Sequence, residues 1–519
     1  MEEKDKKQEE NIEKKDGTTE MAVLRVRRHL YPEEIVQKKA EKKQKRMKII
    51  AVVCVCAALG IGWISGSIFP LGIAGQLRAI ITRSSELDST NKIASAKRVM
   101  EEDWYFGKDI DDLEERLTDQ AITGITTNEE DPHTQYMSKQ ETDDFVQSIN
   151  RNYVGVGVQF INISGTATIT RVFKGSPAEK AGIEPGDILY KADEHVLEGL
   201  SSDEIKKYVQ GDAGTDLMLE VKRGNDIFAF KVSRSDVTAT TYGYMLDDQV
   251  AYLQLAQFGN STADEVRAYL DDFSKENATK LIIDLRDNGG GYLTSVEDVA
   301  SCFLEKGSTV MKREFKDGSI TENKTSKDQY SEISPIVVLI NQNTASAAEV
   351  LTLALREQRD DVTLVGTRSY GKGTVQVSRS FKDGSTIKYT VSKWLSPKGE
   401  WINEVGIEPD QEVRLHDVFY HTFAGMKADE TYLVDSVGDP VEDMELCLDY
   451  LGYGPERKDG YFSTIVQNCL RQYQTDKGME VTGVLDRETY DSLYSSVILK
   501  WETTTDTDSQ LAKAREILA

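Results

Sequence analysis

Apolar positions change their spacing repeatedly along this chain, and each change marks a different kind of element. Residues 1–48 are dense in Lys, Glu, Asp and Gln, with too few apolar side chains to bury a core. From Ile49 to Phe69 the chain runs uncharged and mostly apolar, about the 20 residues that cross a hydrocarbon layer as a helix. Across 71–150 apolar residues recur at helical spacing: Leu77, Ile80 and Ile81, then Ile93, Val99 and Met100, then Leu113, Leu117, Ile122 and Ile125. Asp131-Pro132-His133-Thr134 interrupts them as a turn.

Over 151–236 the period shortens to that of strands. Tyr153 to Phe160, Ile169 to Phe173, Leu217 to Val221 and Ile227 to Val232 read as strands. Ser176-Pro177-Ala178 starts a short helix stopped at Gly182, and Ser202 to Val209 is an amphipathic helix. Over 237–415 strands and helices alternate. Val250 to Leu255, Lys280 to Arg286, Ile336 to Ile340 and Val362 to Val365 are strands; Thr262 to Phe273, Leu293 to Phe303 and the run after Ser346 are helices. Such alternation predicts a sheet with helices on its faces. Thr374 to Phe381 and Thr386 to Trp394 predict a hairpin around Lys382-Asp383-Gly384. A small helical module follows at 438–497, and 498–519 reads as a polar, mobile tail with a short helical end.

Charge orients this plan. Lys38, Lys39, Lys42, Lys43, Lys45, Arg46 and Lys48 precede the apolar run, which places that end in the cytoplasm and makes residues 49–70 a signal anchor. Everything beyond is then extracytoplasmic. The net charge of −25 argues against nucleic acid, which needs a basic face. Cys54 and Cys56 fall in the apolar run, while Cys302, Cys447 and Cys469 are scattered without metal-ligand spacing, so neither a disulfide framework nor a metal site is expected. The 71–150 segment is either a helical module that packs between protomers or on the catalytic domain, or a spacer; the pattern alone leaves both open.

The candidate chemistry lies between Asn343 and Gln376. Ser346 stands where an apolar strand hands over to an apolar helix, among Thr344, Ala345, Ala347 and Ala348, small enough for a substrate backbone to approach. A helix N-terminus there offers free N–H groups to an oxyanion. A serine needs a base, yet of the histidines His29, His133, His195, His416 and His421 only His416 touches the 237–415 domain, at its very end. Lys372, in Tyr370-Gly371-Lys372-Gly373, is the better candidate. Its ordinary pKa near 10.4 must be lowered by desolvation, and the flanking glycines allow that close packing. Gln376 is placed to accept from the amine without adding charge. Ala347 and Gly290, the latter in Asp287-Asn288-Gly289-Gly290-Gly291, are the candidate oxyanion donors. Asp284 and Arg286 read as a structural ion pair.

Three resemblances join these pieces. Residues 151–236 resemble a PDZ domain, with Gly155-Val156-Gly157-Val158 matching its carboxylate-binding loop and Ser176-Pro-Ala-x-x-Ala-Gly-x-x-Pro-Gly-Asp187 matching the PDZ domains of proteases. Physically, adjacent loop N–H groups cradle a terminal carboxylate while the peptide adds as a strand. Residues 438–497 are similar to the peptidoglycan-binding repeat through Leu451-Gly452-Tyr453, Asp459-Gly460-Tyr-Phe462, Gln474 and Thr482-Gly483-x-x-Asp486. A helical packing module without glycan contact is the competing reading. Most specifically, Leu281-Ile-Ile-Asp-Leu-Arg-Asp-Asn-Gly-Gly-Gly291, Asn343-Thr-Ala-Ser-Ala-Ala-Glu349 and Tyr370-Gly-Lys-Gly-x-x-Gln376 occur in the order of the carboxyl-terminal processing proteases, over roughly residues 90–412.

With the apolar run and the helical spacing upstream, these resemblances imply a multidomain α+β protein: one transmembrane helix (49–70), a helical N-terminal module (71–150), a PDZ domain (151–236), a crotonase-like α/β serine protease core (237–415) and the C-terminal module. Carried over, Ser346 is the nucleophile, Lys372 the general base and Gln376 its orienting partner. The implied partners are protein substrates with apolar C-termini, the membrane, peptidoglycan and, by family precedent, a second copy of the chain. No cofactor is implied. The Ser346–Lys372 interval is one residue longer than the family's usual, around Arg359 to Thr363. The competing class is a catalytically silent PDZ and wall-binding scaffold, which loss of Ser346 or Lys372 would have favoured.

Overall fold

The computed structural model describes residues 91–163 and 165–519. The expected anchor at 49–70 lies outside them, and among the described residues no helix is long and apolar enough to cross a membrane. The chain divides into two compact units, Met1–Trp104 and Tyr105–Ala519. The described part of the first is the helix Lys92–Glu102, started by Asn91, whose side chain accepts the Ala94 N–H.

In the second unit, helices Leu113–Thr126 and Lys139–Asn150 flank the short strand Gln135–Met137. A capping box of Ser138 and Glu141 starts the second helix. The strand pairs antiparallel with Thr386–Leu395. This stretch is therefore no plain spacer: it supplies an edge strand to a five-stranded sheet that also holds Thr309–Phe315, Ile320–Lys324 and Thr374–Ser380.

The PDZ-like region is closed by its own ends. Its entry strand Asn152–Gly155 pairs with Ser235–Thr238 at its exit. Between them, strands Val158–Ile163, Thr166–Val172, Ile188–Ala192, Asp216–Arg223 and Asp226–Ser233 form an antiparallel sheet, with His195–Val196 on the third. The expected single strand from Tyr153 to Phe160 is broken at Val156-Gly157. Gly157 has φ 90°, and a Cβ there would lie 2.2 Å from Ser176 Cβ, so only glycine fits the bend.

The larger sheet orders Thr241–Met245, Val250–Leu255, Lys280–Asp284, Ile336–Ile340, Val362–Gly366 and Gln411–Glu412, antiparallel at the first pair and parallel thereafter. Ile336–Ile340 and the middle of Lys280–Asp284 are continuously apolar because both faces of the sheet are covered there. Leu281, Ile283, Val338, Ile340 and Leu364 face helices Thr262–Lys275, Leu293–Ala300 and Ala347–Gln358. Ile282, Val337, Leu339 and Val365 face Leu511, Ala514 and Leu518 of the final helix, Ser509–Leu518.

That last contact corrects the expectation of a mobile tail at 498–519. Leu511, Ala514 and Leu518 are spaced to fall on one helix face, and they cover the sheet surface that would otherwise meet water. Each buried leucine contributes about 2 kcal/mol, so the end is docked. Helices Asp439–Leu451, Thr464–Asp476 and Arg487–Thr503 form the C-terminal module. Its core begins earlier than residue 438, with Val418 and Met426, and runs to Val497.

Candidate active site

Ser346 is the residue before the helix Ala347–Gln358, with φ 56° and ψ −118°. Few non-glycine residues adopt that backbone, at a cost of about 1–3 kcal/mol, and it persists only where surroundings enforce it. Enforcement is visible on both sides. Upstream, Thr344 Oγ1 donates to Leu285 O at 2.8 Å, and the Ala345 N–H donates to Asn288 O at 2.9 Å. Downstream, the Ser346 N–H donates to Glu349 Oε2 at 2.8 Å. Gly290 presses against the turn: a Cβ on it would lie 2.8 Å from Ser346 Cβ and 3.0 Å from the Ala347 nitrogen.

Glu349 organises the site. Its side chain is fully buried and carries four hydrogen bonds. Oε2 accepts the N–H groups of Ser346 and, at 2.9 Å, Lys372. Oε1 accepts the Ser369 hydroxyl and the Gly371 N–H, both at 2.6 Å. Burial pushes this carboxyl up, and the four donors oppose the shift. One carboxylate thus ties the serine turn to the lysine turn. The sequence reading placed Glu349 inside the motif but gave it no role.

The lysine turn is packed from its other side by two indoles. Trp394 Nε1 donates to Lys372 O at 2.6 Å and Trp401 Nε1 to Gly373 O at 2.9 Å. The flanking glycines are required by close approach: a Cβ on Gly371 (φ 86°) would lie 2.6 Å from the Gly406 nitrogen, and one on Gly373 2.5 Å from Trp401 Nε1. The Lys372 amine has no hydrogen-bond partner among the described residues. Burial pushes its pKa down, the Lys388 ammonium pushes it further, and Glu349 and Asp131 only partly offset this. No hydrogen bond joins it to the Ser346 hydroxyl.

The remaining expected residues divide. The Ala347 N–H has no acceptor among the described residues, whereas the Gly290 N–H is turned onto Asn288 Oδ1 at 2.9 Å and is not free as expected. Asn288 is itself fixed by donating to Leu255 O at 2.7 Å. Gln376 Nε2 donates to Thr374 Oγ1 at 2.9 Å and Thr390 Oγ1 at 3.0 Å, so its amide points to hydroxyls on its own hairpin instead of meeting Lys372. A polar chain continues outward: the Thr390 N–H donates to Thr134 Oγ1, which donates to Asp131 Oδ2. Beside it, burial and then the Lys372 charge push His133 down. His133 and Lys388 both belong to the electrostatic surroundings of Lys372, and only the Asp131-Pro-His-Thr turn signalled one of them in sequence. Among the described residues, no three His, Cys, Asp or Glu side chains are grouped to hold a metal ion.

Gly155, Val156, Gly157 and Val158 line a groove of about 430 Å³ with Phe160 and Val209. The Val156 and Gly157 N–H groups have no acceptor among the described residues. The groove floor is apolar, while Arg151 and Lys206 reach its rim.

Comparisons with known proteins agree with this layout. Peptidase family S41 matches residues 249–413, a PDZ domain matches 168–223 and a peptidoglycan binding domain matches 437–493. The chain is similar to the carboxy-terminal processing protease CtpA of Bacillus subtilis strain 168, at 33% identity over 481 residues, spanning 92% of this chain and 99% of that one. It is 32% identical over 402 residues to a CtpA-like serine protease of Staphylococcus aureus strain N315, covering 77% of this chain and 79% of that one. Among solved structures, the photosystem II D1 C-terminal processing protease is similar over 62% of this chain and 92% of its own, with 23% identity and a TM-score of 0.37. With a serine on a strained helix start, an S41 match over the domain that carries it and a relative covered almost end to end, this chain belongs to the carboxy-terminal processing proteases, serine-type peptidases of family S41.

Proposed function

We propose that the protein is a membrane-anchored endopeptidase that acts outside the cytoplasm, captures protein substrates by their apolar C-termini in the PDZ groove and cleaves them with a Ser346–Lys372 pair. The observation that carries this reading is the Glu349 bracket. The backbone N–H groups of a strained serine and of a lysine whose pKa burial depresses meet on one oxygen of a single buried carboxylate, and the rest of the lysine turn, Ser369 and Gly371, holds the other.

The chemistry follows from the residues. Neutral Lys372 accepts the Ser346 hydroxyl proton as Oγ attacks the substrate carbonyl carbon. The oxyanion is received by the Ala347 N–H and by Gly290 once its N–H leaves Asn288 Oδ1. The Lys372 ammonium returns the proton to the departing amine, leaving an ester on Ser346. Water, deprotonated by the same amine, then hydrolyses the ester. Gln376 is assigned the role of orienting the amine, which requires its amide to turn from Thr374 and Thr390. The separation of serine and lysine here fits a resting arrangement that a substrate closes.

Gly155 to Val158 hold the substrate carboxylate on loop N–H groups, and the apolar floor takes the last side chain. The Ile49–Phe69 run anchors the chain, and the 437–493 module contacts peptidoglycan. A dimer is the proposed assembly.

The test is cleavage of an unfolded reporter ending in apolar residues by the parent, Ser346→Ala and Lys372→Ala. Cutting by the parent alone supports the pair. Cutting that survives both substitutions overturns it. No cutting by any form, with C-terminal peptides still bound, moves the reading to a scaffold.

A further inference from the structure

Arg286 is 6% exposed, in the turn two residues past the strand Lys280–Asp284 and just before the Asp287–Gly291 loop. A buried guanidinium is tolerated only when its donors are fully engaged. Asp284 supplies one side: Arg286 Nε lies 2.9 and 3.0 Å from its two oxygens and Nη2 2.5 Å from Oδ2. The other side comes from the chain's far end. Nη1 donates to Asp508 Oδ1 at 3.0 Å and Gln510 Oε1 at 3.1 Å, and Nη2 lies 2.8 Å from Asp508 Oδ2. The Trp501 ring stacks on the guanidinium at 5.1 Å.

What Arg286 holds is the floor of the serine turn. Asp287 adopts φ 59°, and its Oδ1 accepts Asn341 Nδ2 at 2.9 Å and Asn343 Nδ2 at 2.8 Å. Next to it, Asn288 O and Gly290 touch Ala345 and Ser346 directly, as described above. Three residues separate the guanidinium from the glycine against Ser346.

The same C-terminal segment holds the PDZ-like sheet. Glu502, at the end of helix Arg487–Thr503, accepts Arg171 Nε at 2.8 Å and Nη2 at 2.6 Å. Both side chains are largely buried. Arg171 also donates to Gln254 and stacks on Tyr242 at 5.0 Å. A cavity of about 400 Å³ opens where Arg171, Arg286, Trp501 and Asp508 meet, so this junction has room to shift.

We propose that residues 501–510 act as a strap that positions the Ser346 turn through Arg286 and couples it to the PDZ-like sheet through Arg171, with Asp508 and Glu502 as positioning residues for hydrolysis. This rests on the reading of Ser346 as nucleophile. The strap grows directly out of the C-terminal module's last helix, so a load on that module reaches both the peptide groove's domain and the serine.

The experiment uses the full chain and compares Asp508→Asn, Glu502→Gln, Ser346→Ala and the parent. Asp508→Asn keeps Oδ1, which caps the final helix by accepting the Gln510 and Leu511 N–H groups, and turns only Oδ2 into a donor facing Arg286. Expected is a fall in kcat on the order of 10-fold or more with KM unchanged, and a melting midpoint within roughly 3 °C of the parent's. Asp508→Glu should restore part of kcat. For Glu502→Gln, affinity for a C-terminal peptide is unchanged, while the dependence of kcat on the substrate's terminal residue is reduced at least roughly 3-fold. Parent-like kcat in Asp508→Asn with parent-like terminal-residue dependence in Glu502→Gln overturns the strap. Should Asp508→Asn fail to fold, Glu502→Gln decides alone. Residual cutting by Ser346→Ala refutes the nucleophile assignment, a failure separable from that of the strap.

Discussion

Replacing Glu349 by Gln tests the bracket with almost no change of volume. The carboxylate accepts four hydrogen bonds, two on each oxygen. A carboxamide keeps one oxygen and presents an NH₂ to the other two donors, so at least two bonds to a charged acceptor are lost. Each contributes about 1.5–3 kcal/mol, which removes about 3–6 kcal/mol of anchoring between the serine and lysine turns. The surrounding core holds both turns near their places, so the cost should appear as misalignment. A displacement of about 1 Å lowers turnover on the order of 100-fold.

A second signature has a definite sign. In the proposed mechanism Lys372 acts as the neutral base, so kcat/KM should rise as pH climbs through its depressed pKa. The Glu349 charge opposes that depression. Its removal lowers the lysine pKa further, and the acid limb of the pH–rate profile moves to lower pH even as the plateau falls. Steady-state cleavage of a quenched fluorescent peptide between roughly pH 5 and pH 10 reads both effects. A plateau equal to the parent's, or an acid limb displaced to higher pH, refutes the bracket.

Three further outcomes follow from neighbouring contacts. Lys388→Met removes the like charge that helps depress Lys372, so the acid limb should move to higher pH in the same assay, opposite to Glu349→Gln. Gly290→Ala puts a Cβ 2.8 Å from Ser346 Cβ at φ 107° and should abolish acylation, seen as loss of more than about 99% of kcat/KM. Glu445→Gln should stabilise the C-terminal module: burial raises this carboxyl to about 7 from 4.5, so its penalty is absent below about pH 4.5 and complete above about pH 7, and denaturant melts should show a gain of about 2–3 kcal/mol at pH 8 that vanishes at pH 4.

The helices and strands of the protease domain were legible because burial on both sheet faces leaves unbroken apolar runs, and Ser202–Val209 because its pattern is purely amphipathic. Ser346 and Lys372 were legible because their small neighbours are forced: Gly371 and Gly373 pack against backbone and indole that no Cβ would clear. The directions of hydrogen bonds were not. Gln376 and the Gly290 N–H were assigned by what they could reach, and the structure gives both to other partners. The docked tail was missed for a related reason: its few apolar residues acquire meaning only against a sheet face built more than a hundred residues earlier.

Glu349 and Glu445 show the limit most sharply. Both are glutamates in helices and both are wholly buried. Glu349 closes a Ser-Ala-Ala-Glu run at a helix start and Glu445 sits within a helix, yet neither context tells how many donors surround the carboxylate. Glu349 has donors on both oxygens because two turns distant in sequence converge on it, and there the charge does work no amide can do. Glu445 accepts the Gly460 N–H on one oxygen at 2.9 Å, while its other oxygen has no partner. In the next helix, Gln474 accepts the Gly483 N–H at 2.9 Å and uses its amide nitrogen to reach Thr482, Val484 and Thr489. The module thus offers a comparison: an amide satisfies the turn at Gly483, and a carboxylate at the turn of Gly460 is left short by one donor. What a buried glutamate contributes is set by the count of donors around it, and that count is a property of the fold.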